Sequence, residues 1–147
     1  MISLYYQTIE HKLTEMENTV SKTKLWISYV MSGLVILFML MDSIMKFVKP
    51  PEVIEGTLAL GFAEQHLPII GALGLISTLL YALSRTSILG AILLTGYFGG
   101  AVATHLRLNN PLLTHTLFTV YFGILVWGGL WLRSSKLREL LPLRQPD

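Results

Sequence analysis

Four long apolar runs constrain the fold of this chain more than any other feature. They are Leu25 to about Met45, about Leu67–Ser84, about Ile88–His105 and Pro111–Leu132. Each is close to the ~20 residues that an α-helix needs to cross about 30 Å of hydrocarbon. The runs also lack the polar face that a helix of a soluble bundle turns toward water. The sequence therefore predicts an all-α protein, a bundle of four transmembrane helices.

The composition agrees with a lipid environment. Hydrophobic residues make up 52% of the 147 residues and charged residues 14%, against about 25% charged residues in a typical soluble domain. Basic residues are not clustered with aromatic ones, so nucleic acid is not predicted as a partner. The sequence has no cysteine, which excludes disulfides and thiolate ligands within the chain. Histidines at metal-ligand spacing are also missing, and we predict no metal site.

The connections between the runs predict the topology. Short links follow the second and third runs, so helices two, three and four are antiparallel neighbours. The longer connection, residues 46–66, carries four apolar residues at helical spacing: Val53, Ile54, Leu58 and Phe62. This spacing predicts a short amphipathic helix at the membrane interface between helices one and two. We divide the chain into an arm (1–24), a transmembrane domain (25–133) and a tail (134–147).

The N-terminal arm has an apolar stripe at spacings of three and four residues. The stripe consists of Tyr6, Ile9, Leu13, Met16 and Val20. It predicts an amphipathic helix that lies at the interface and leads into the membrane. A helix for self-association or partner binding is the alternative, although a coiled coil needs three or four heptads and this stripe covers barely two.

The distribution of basic residues predicts the orientation in the membrane. Four spans place both termini on one side, which carries Lys12, Lys22, Lys24, Arg85, Arg133, Lys136, Arg138 and Arg144. The other side carries only Lys46, Lys49 and Arg107. Because cytoplasmic loops are enriched in Lys and Arg, we expect both termini in the cytoplasm.

This topology gathers polar side chains at the non-cytoplasmic end of the bundle. They are Asp42, Lys46, Glu64, His66, His105, Arg107 and His115. Asp42 and Lys46 are four residues apart and therefore share a helix face. Two readings stay open for this pair. It is either an ion pair that closes the helix or part of a functional site, since ionisable residues in membrane segments often mark one.

The histidines of this end also allow two interpretations. They either form a polar cap that hydrogen-bonds helix ends and water, or they bind the carbonyl or hydroxyl head of a quinone. A haem held by His105 and His115 is a weaker alternative, because the sequence has no further haem signal.

Small residues predict close helix packing. The third run contains Gly96, Gly99, Gly100 and Ala103, which form overlapping small-xxx-small patterns, and the second run contains Gly71 and Gly74. Such residues let helix backbones approach closely in lipid. A phosphate-binding glycine loop is excluded, because it would need a preceding strand and water-exposed amides. Soluble catalytic motifs such as GxSxG and HExxH are missing from the sequence.

Two segments resemble the DoxX-like family of membrane proteins over about Ser32–Arg133. The stretch MDSIMK (41–46) followed by PPEV (50–53) is similar to the end of that family's first helix. The stretch LGAILLTGYFGGAVATHLR (89–107) resembles its third helix closely. The chain departs from the family in having Ser43 where glycine is frequent, and in lacking the glutamate common in helix two, where residues 70–74 read IGALG.

The resemblance implies a place in membrane redox chemistry. The founding relatives are subunits of a membrane thiosulfate:quinone oxidoreductase. We therefore expect an accessory or non-catalytic subunit of a redox or quinone-linked assembly in the bacterial inner membrane, with a redox partner or a second copy of the chain. The alternatives are an enzyme or transporter for a small apolar molecule, with Asp42 and a histidine in proton transfer, and a structural assembly protein acting through its arm and Gly96/Gly100.

Overall fold

The computed structural model describes the backbone of residues 2–134 and 137–138 and the side chains of residues 22–134 and 137–138. Within these ranges the chain forms five α-helices and no strand. The helices are α1 (Ile2–Val48), α2 (Pro51–Ala59), α3 (Leu67–Ala82), α4 (Ser87–Arg107) and α5 (Leu117–Arg133). A 3-10 turn (Glu64–His66) precedes α3, and a π-helical turn (Leu112–Thr116) precedes α5. The all-α prediction is confirmed.

Four helical segments of the described chain are long and apolar enough to cross a membrane. They are Lys22–Val48, Glu64–Ala82, Ser87–Arg107 and Leu112–Arg133. At most 33% of the most apolar stretch of each segment is buried inside the protein. The remaining apolar surface points outward, where lipid rather than water satisfies it. The four predicted spans are thus confirmed, with ends that differ by a few residues.

Helix α1 is continuous over 47 residues and joins the arm to the first span without a break. The side chains of residues 1–21 lie outside the described residues, so the apolar stripe of the arm stays a prediction. Most of the predicted tail, 134–147, also lies outside them. The described part of the tail includes Leu137, which is buried against the bundle with 2% of its surface exposed.

Local chemistry explains where α1 ends and α2 begins. Lys49 has a positive φ of 54°, a left-handed conformation that ends many helices. Pro50 follows, and Pro51 occupies the first turn of α2, where its missing N–H is not needed. Helix α2 forms where the sequence predicted a short helix. Its position at a membrane interface stays a prediction.

The helices form a ring in which α1 packs against α3 and α5, and α4 packs against the same two helices. Helices α1 and α4 therefore occupy opposite corners. At one end of the ring, which we name the closed half, hydrogen bonds link three helices through Ser28, Ser32, Tyr81, Val126 and Gly129. The Ser28 hydroxyl donates to the Gly129 carbonyl at 2.6 Å. The Tyr81 hydroxyl donates a hydrogen bond to the Val126 carbonyl at 3.0 Å. It accepts a second hydrogen bond, at 2.9 Å, from the Ser32 hydroxyl.

Two glycines allow the closed half to pack tightly. A Cβ atom at Gly90 of α4 would lie 2.1 Å from the Tyr81 backbone nitrogen of α3. A Cβ atom at Gly129 of α5 would lie 2.6 Å from the Ser32 Oγ of α1. Both distances are shorter than real Cβ contacts, and at Gly90 the neighbouring atom belongs to the backbone, so the helices would have to move apart to admit a side chain. Such close approach is how helices associate in lipid, where no hydrophobic effect drives them together.

Candidate functional site

The opposite end of the ring, which we name the open half, surrounds a cavity of about 650 Å³. Its walls are mainly apolar and come from α1, α3, α4 and the start of α5, together with the segment after α2. They include Phe38, Met39, Ile70, Leu73, Leu93, Phe98 and Phe118. The ionisable side chains that line it are Asp42, Lys46, Tyr97 and His105, and hydroxyl groups come from Ser77, Thr104 and Thr119. We name the part of the wall around Asp42, Lys46 and Tyr97 the polar end. A mostly apolar cavity with a few converging polar groups is the usual form of a small-molecule site.

Asp42 is the centre of the polar end. The Lys46 Nζ donates to Asp42 Oδ1 at 2.5 Å, one helical turn away on α1. The Tyr97 hydroxyl donates to Asp42 Oδ2 at 3.1 Å from the opposite helix α4. The Lys46 side chain is only 15% exposed and that of Asp42 is 30% exposed. Both carboxylate oxygens are thus engaged, and the acid and the amine together carry no net charge.

The polar end offers hydrogen-bond donors to a ligand. An ammonium group has three N–H donors and no acceptor, and Lys46 directs one of them to Asp42. Its remaining donors belong to a side chain that lines the cavity. Because Asp42 already accepts from two partners, the group that best complements this end is a neutral oxygen acceptor such as a carbonyl.

The glycines of α4 form a wall of the cavity. Gly96 and Gly100 line it, and no described atom outside their own helix lies within 4 Å of a Cβ built at either. A Cβ built at Gly99 would also meet no described atom within 4 Å, and Gly99 lines a groove on the outer surface together with Gly123 and Trp127. Ala103 is exposed. No described helix packs closely on Gly96, Gly99 or Gly100, and the packing role predicted for the four residues stays a prediction.

The glycines of α3 behave differently. A Cβ atom at Gly71 would lie 3.0 Å from the Lys46 Cβ, and one at Gly74 would lie 2.7 Å from the Ser43 Oγ. Both glycines therefore allow α3 to contact α1 directly beside Asp42. This contact positions the turn of α1 that carries the acid and the lysine.

The other predicted polar residues divide between the cavity and its edge. His105 lines the cavity, and its Nδ1 lies 2.9 Å from the Asn110 amide nitrogen. The ring of His115, an exposed residue of the π-helical turn, lies 5.8 Å from the ring of His105. His66 accepts a hydrogen bond from the backbone N–H of Ala63 through Nδ1 at 3.2 Å. Among the described residues, no group of three or more potential metal ligands is present.

The segment after α2, residues 60–63, supplies part of the cavity wall at the loop end of the bundle, and we name it the covering segment. Leu60 and Phe62 line the cavity, and Arg107 donates to the Leu60 carbonyl at 3.1 Å. Gly61 has a φ of 81°, and a Cβ there would lie 2.9 Å from the Arg107 guanidinium. Glu64, beyond this segment, accepts a hydrogen bond from Lys49 at 3.2 Å. Arg107 thus holds the covering segment and does not line the cavity.

Tyr97 is the site residue that sequence reasoning missed. It lies inside an apolar run, and the sequence does not reveal which helix it faces. A signal was available in its chemistry, because a buried tyrosine hydroxyl needs a hydrogen-bond partner. Asp42 is the one acidic residue inside the four apolar runs, which made it a candidate acceptor for this hydroxyl.

Comparison with known proteins agrees with the resemblance seen in the sequence. No curated protein and no solved structure shows a significant match. The sequence profile of the DoxX-like family matches residues 30–129. This stretch includes the whole polar end of the cavity, Asp42, Lys46 and Tyr97, and also His105. The match covers more than half of the chain, which therefore belongs to the DoxX-like family.

Proposed function

We propose that this protein binds a quinone in the cavity of its open half and serves as a non-catalytic subunit or accessory of a redox assembly in the bacterial inner membrane. The observation that carries the proposal is the form of the cavity, in which apolar walls end at the Lys46–Asp42–Tyr97 cluster. A quinone has the matching form, since a planar ring bears carbonyl acceptors and an apolar tail.

Aromatic side chains support this assignment. Phe38, Phe98 and Phe118 all line the cavity, and the rings of Phe38 and Phe118 lie 5.5 Å apart in an edge-to-face arrangement. Aromatic rings favour such contacts with other ring systems. The polar end is rich in hydrogen-bond donors and carries no net charge. A neutral quinone carbonyl suits such a site better than a carboxylate does, because a carboxylate would bring an uncompensated charge into a low-dielectric site.

The chemical groups that the chain can supply for electron transfer and catalysis support an accessory role. It offers no thiol for electron transfer, and its sequence contains no catalytic motif recognisable from residue spacing. A quinone bound here would therefore exchange electrons with a partner protein. In this view the chain holds and orients the quinone while the partner supplies the redox centre.

A binding experiment tests the proposal. Protein purified in mild detergent is extracted for co-purifying quinones and titrated with decylubiquinone by isothermal calorimetry. We expect micromolar binding that Lys46→Gln weakens about tenfold, the effect of losing one good polar interaction of about 1.4 kcal/mol. Lys49→Gln is the matched control, because Lys49 pairs with Glu64 outside the cavity. Protein that carries no quinone and binds none would refute the proposal.

A second function has one observation in its favour. Asp42 and His105 line the same cavity, as an enzyme or transporter that moves protons to or from a small apolar molecule requires. This function predicts that Asp42→Asn abolishes turnover or transport while the molecule still binds. Equal loss of binding and transport would favour a positioning role for Asp42 instead.

The orientation with both termini in the cytoplasm is part of the proposal, and the excess of basic residues on that side supports it. Because the chain has no cysteine, single cysteines introduced at Ser84 and Ala63 report the sidedness with a membrane-impermeant maleimide. We expect intact inverted membrane vesicles to expose position 84 and to protect position 63. The reverse pattern would invert the orientation.

A structural role in assembly is the third candidate. The open glycine face at Gly96, Gly99 and Gly100 favours it, as does the long arm of α1. Deleting residues 1–20 and measuring the oligomeric state in detergent by light scattering tests it. An unchanged state would remove the support that the arm provides.

A further inference from the structure

Some residues that line the cavity are also exposed, and these mark where the cavity meets the outside. Leu73 of α3 is 57% exposed and Leu93 of α4 is 40% exposed. Gly96 and Gly100 of α4 are exposed as well. By contrast, Met39 and Phe98 line the same cavity and are at most 6% exposed. Phe118, at the start of α5, lines the cavity and is 40% exposed as well. The other exposed lining residues all lie on α3 and α4. We name the lateral opening between these two helices the portal and define it by Leu73, Leu93, Gly96 and Gly100.

The portal lies within the hydrophobic part of the bundle. All four of its residues belong to apolar segments long enough to cross a membrane. Exposed neighbours on the same two helices are also apolar, including Ile69 at 60% exposed, Ile76 at 54% and Ile92 at 54%. A surface of this composition faces hydrocarbon, so the medium outside the portal is the interior of the bilayer.

The covering segment supplies part of the cavity wall at the loop end of the bundle. Leu60 and Phe62 line the cavity there, and Arg107 donates a hydrogen bond to the Leu60 carbonyl oxygen. A ligand that enters through the portal does not have to displace this segment.

The side chains on α3 and α4 explain where the portal lies. The two helices are joined by a short turn, and just beyond it Gly90 brings their backbones into contact at Tyr81. Toward the other end both helices line the cavity, α3 with Leu73 and Ser77 and α4 with Leu93 and Gly96, and the Tyr97 ring of α4 lies 3.5 Å from a Cβ built at Gly74 of α3. On the α4 side, the glycines supply no side chain to close the gap.

From these observations we infer that the ligand reaches the site sideways from the bilayer through the portal. The ligand is then a membrane-dissolved amphiphile whose oxygen-bearing head lies at the Lys46–Asp42–Tyr97 cluster and whose apolar tail extends between α3 and α4 into the lipid. This inference rests on the proposed function, which assigns ligand binding to the cavity, and adds where the ligand comes from and how it lies.

Binding kinetics test the inference separately from binding itself. Protein in lipid nanodiscs is mixed with radiolabelled decylubiquinone, and bound label is followed by rapid filtration. Leu73→Trp narrows the portal. We expect it to slow both association and dissociation about tenfold, equivalent to a barrier raised by about 1.4 kcal/mol. Leu93→Trp is the second variant if Leu73→Trp does not fold.

Two controls distinguish the portal from other routes. Leu79→Trp lies on the same helix, is similarly exposed at 51% and does not line the cavity, so we expect wild-type rates. Ala63→Trp alters the covering segment at an exposed residue that does not line the cavity, and it is expected to leave the rates unchanged too. Rates that respond to Ala63→Trp and not to Leu73→Trp would overturn the inference and assign access to the loop end of the bundle.

A measurement without ligand keeps the inference testable if decylubiquinone does not bind. Because the chain has no cysteine, a nitroxide spin label is attached to a single cysteine at Leu93 or at Leu60. We expect the label at 93 to collide with oxygen, which concentrates in lipid, and to be shielded from a water-soluble nickel chelate. The label at 60 is expected to be accessible to the chelate. Chelate access at 93 would overturn the portal whatever the ligand is.

Discussion

The closed and open halves of the bundle use the same four helices in opposite ways. In the closed half, Ser32 and Tyr81 hydrogen-bond across helices, and Gly90 and Gly129 bring backbones into contact. In the open half the helices surround a cavity of about 650 Å³, and one hydrogen bond from Tyr97 to Asp42 links α4 to α1 across it.

The difference separates stability from binding along the length of the bundle. Close packing and interhelical hydrogen bonds are the forces that hold helices together in lipid, and the closed half has both. A cavity forgoes packing contacts and is stable only where the rest of the fold tolerates it. We therefore expect substitutions in the closed half to change the free energy of unfolding, and those in the open half to change ligand affinity.

Gly90→Ala is expected to have the largest effect on stability. The added Cβ would lie 2.1 Å from the Tyr81 backbone nitrogen, so α3 and α4 must separate. We expect the free energy of unfolding to fall by about 3 kcal/mol, the upper part of the range for overpacking, in SDS titrations in mixed micelles. Gly33→Ala is the control, because it meets no described atom within 4 Å. Equal stability of the two variants would contradict the close contact.

Tyr81→Phe removes the hydroxyl that joins three helices in the closed half. The Ser32 and Val126 partners lose their hydrogen bonds, and we expect a loss of about 1–2 kcal/mol in the same titration. Decylubiquinone affinity should not change. Tyr121→Phe is the control, because it makes the same substitution at a half-exposed position and should leave the free energy of unfolding nearly unchanged. A large loss of affinity in Tyr81→Phe would break the separation between the halves.

Tyr97→Phe makes the same chemical change in the open half. We expect it to lower the free energy of unfolding by less than about 1 kcal/mol, since one interhelical hydrogen bond is lost. Its effect on decylubiquinone affinity should be larger, about tenfold, because Asp42 loses the partner that positions it beside Lys46. If calorimetry finds affinity unchanged, Tyr97 has only a structural role.

Gly100→Leu is expected to have the smallest effect on stability and the clearest effect on binding. Its side chain would enter the cavity, where no described atom outside the helix lies within 4 Å of the new Cβ. The free energy of unfolding should change by no more than about 0.5 kcal/mol, while decylubiquinone binding is lost. Gly33→Leu should preserve binding. A strongly destabilised Gly100→Leu would mean that another chain packs against this face.

The predictable parts of this protein are those that depend on a single helix. Hydropathy gave the four spans because crossing a bilayer requires a fixed length of apolar helix. The ion pair of Asp42 and Lys46 was one of the expected readings because four residues separate them on one helix. Neither inference needs to know which helices are neighbours.

The parts that could not be predicted depend on how one helix is rotated relative to another. Gly96 and Gly100 indicated a thin helix face, but a sequence does not reveal whether a neighbouring helix fills the space or leaves a cavity. Tyr97 was missed for the same reason, because its partner is on the opposite corner of the ring. His115 and Arg107 were expected near Asp42, and the structure places them at the end of the bundle without bringing them onto the cavity wall.

The pairing of Asp42 with Lys46 has an electrical consequence. A transmembrane voltage does work of about 2.3 kcal/mol per elementary charge per 100 mV on a charge that crosses the membrane. The two charges of the ion pair cancel, so the pair has zero net charge. A neutral molecule that settles beside it moves no charge through the field. Occupancy of the cavity should therefore be the same in an energised membrane as in a depolarised one.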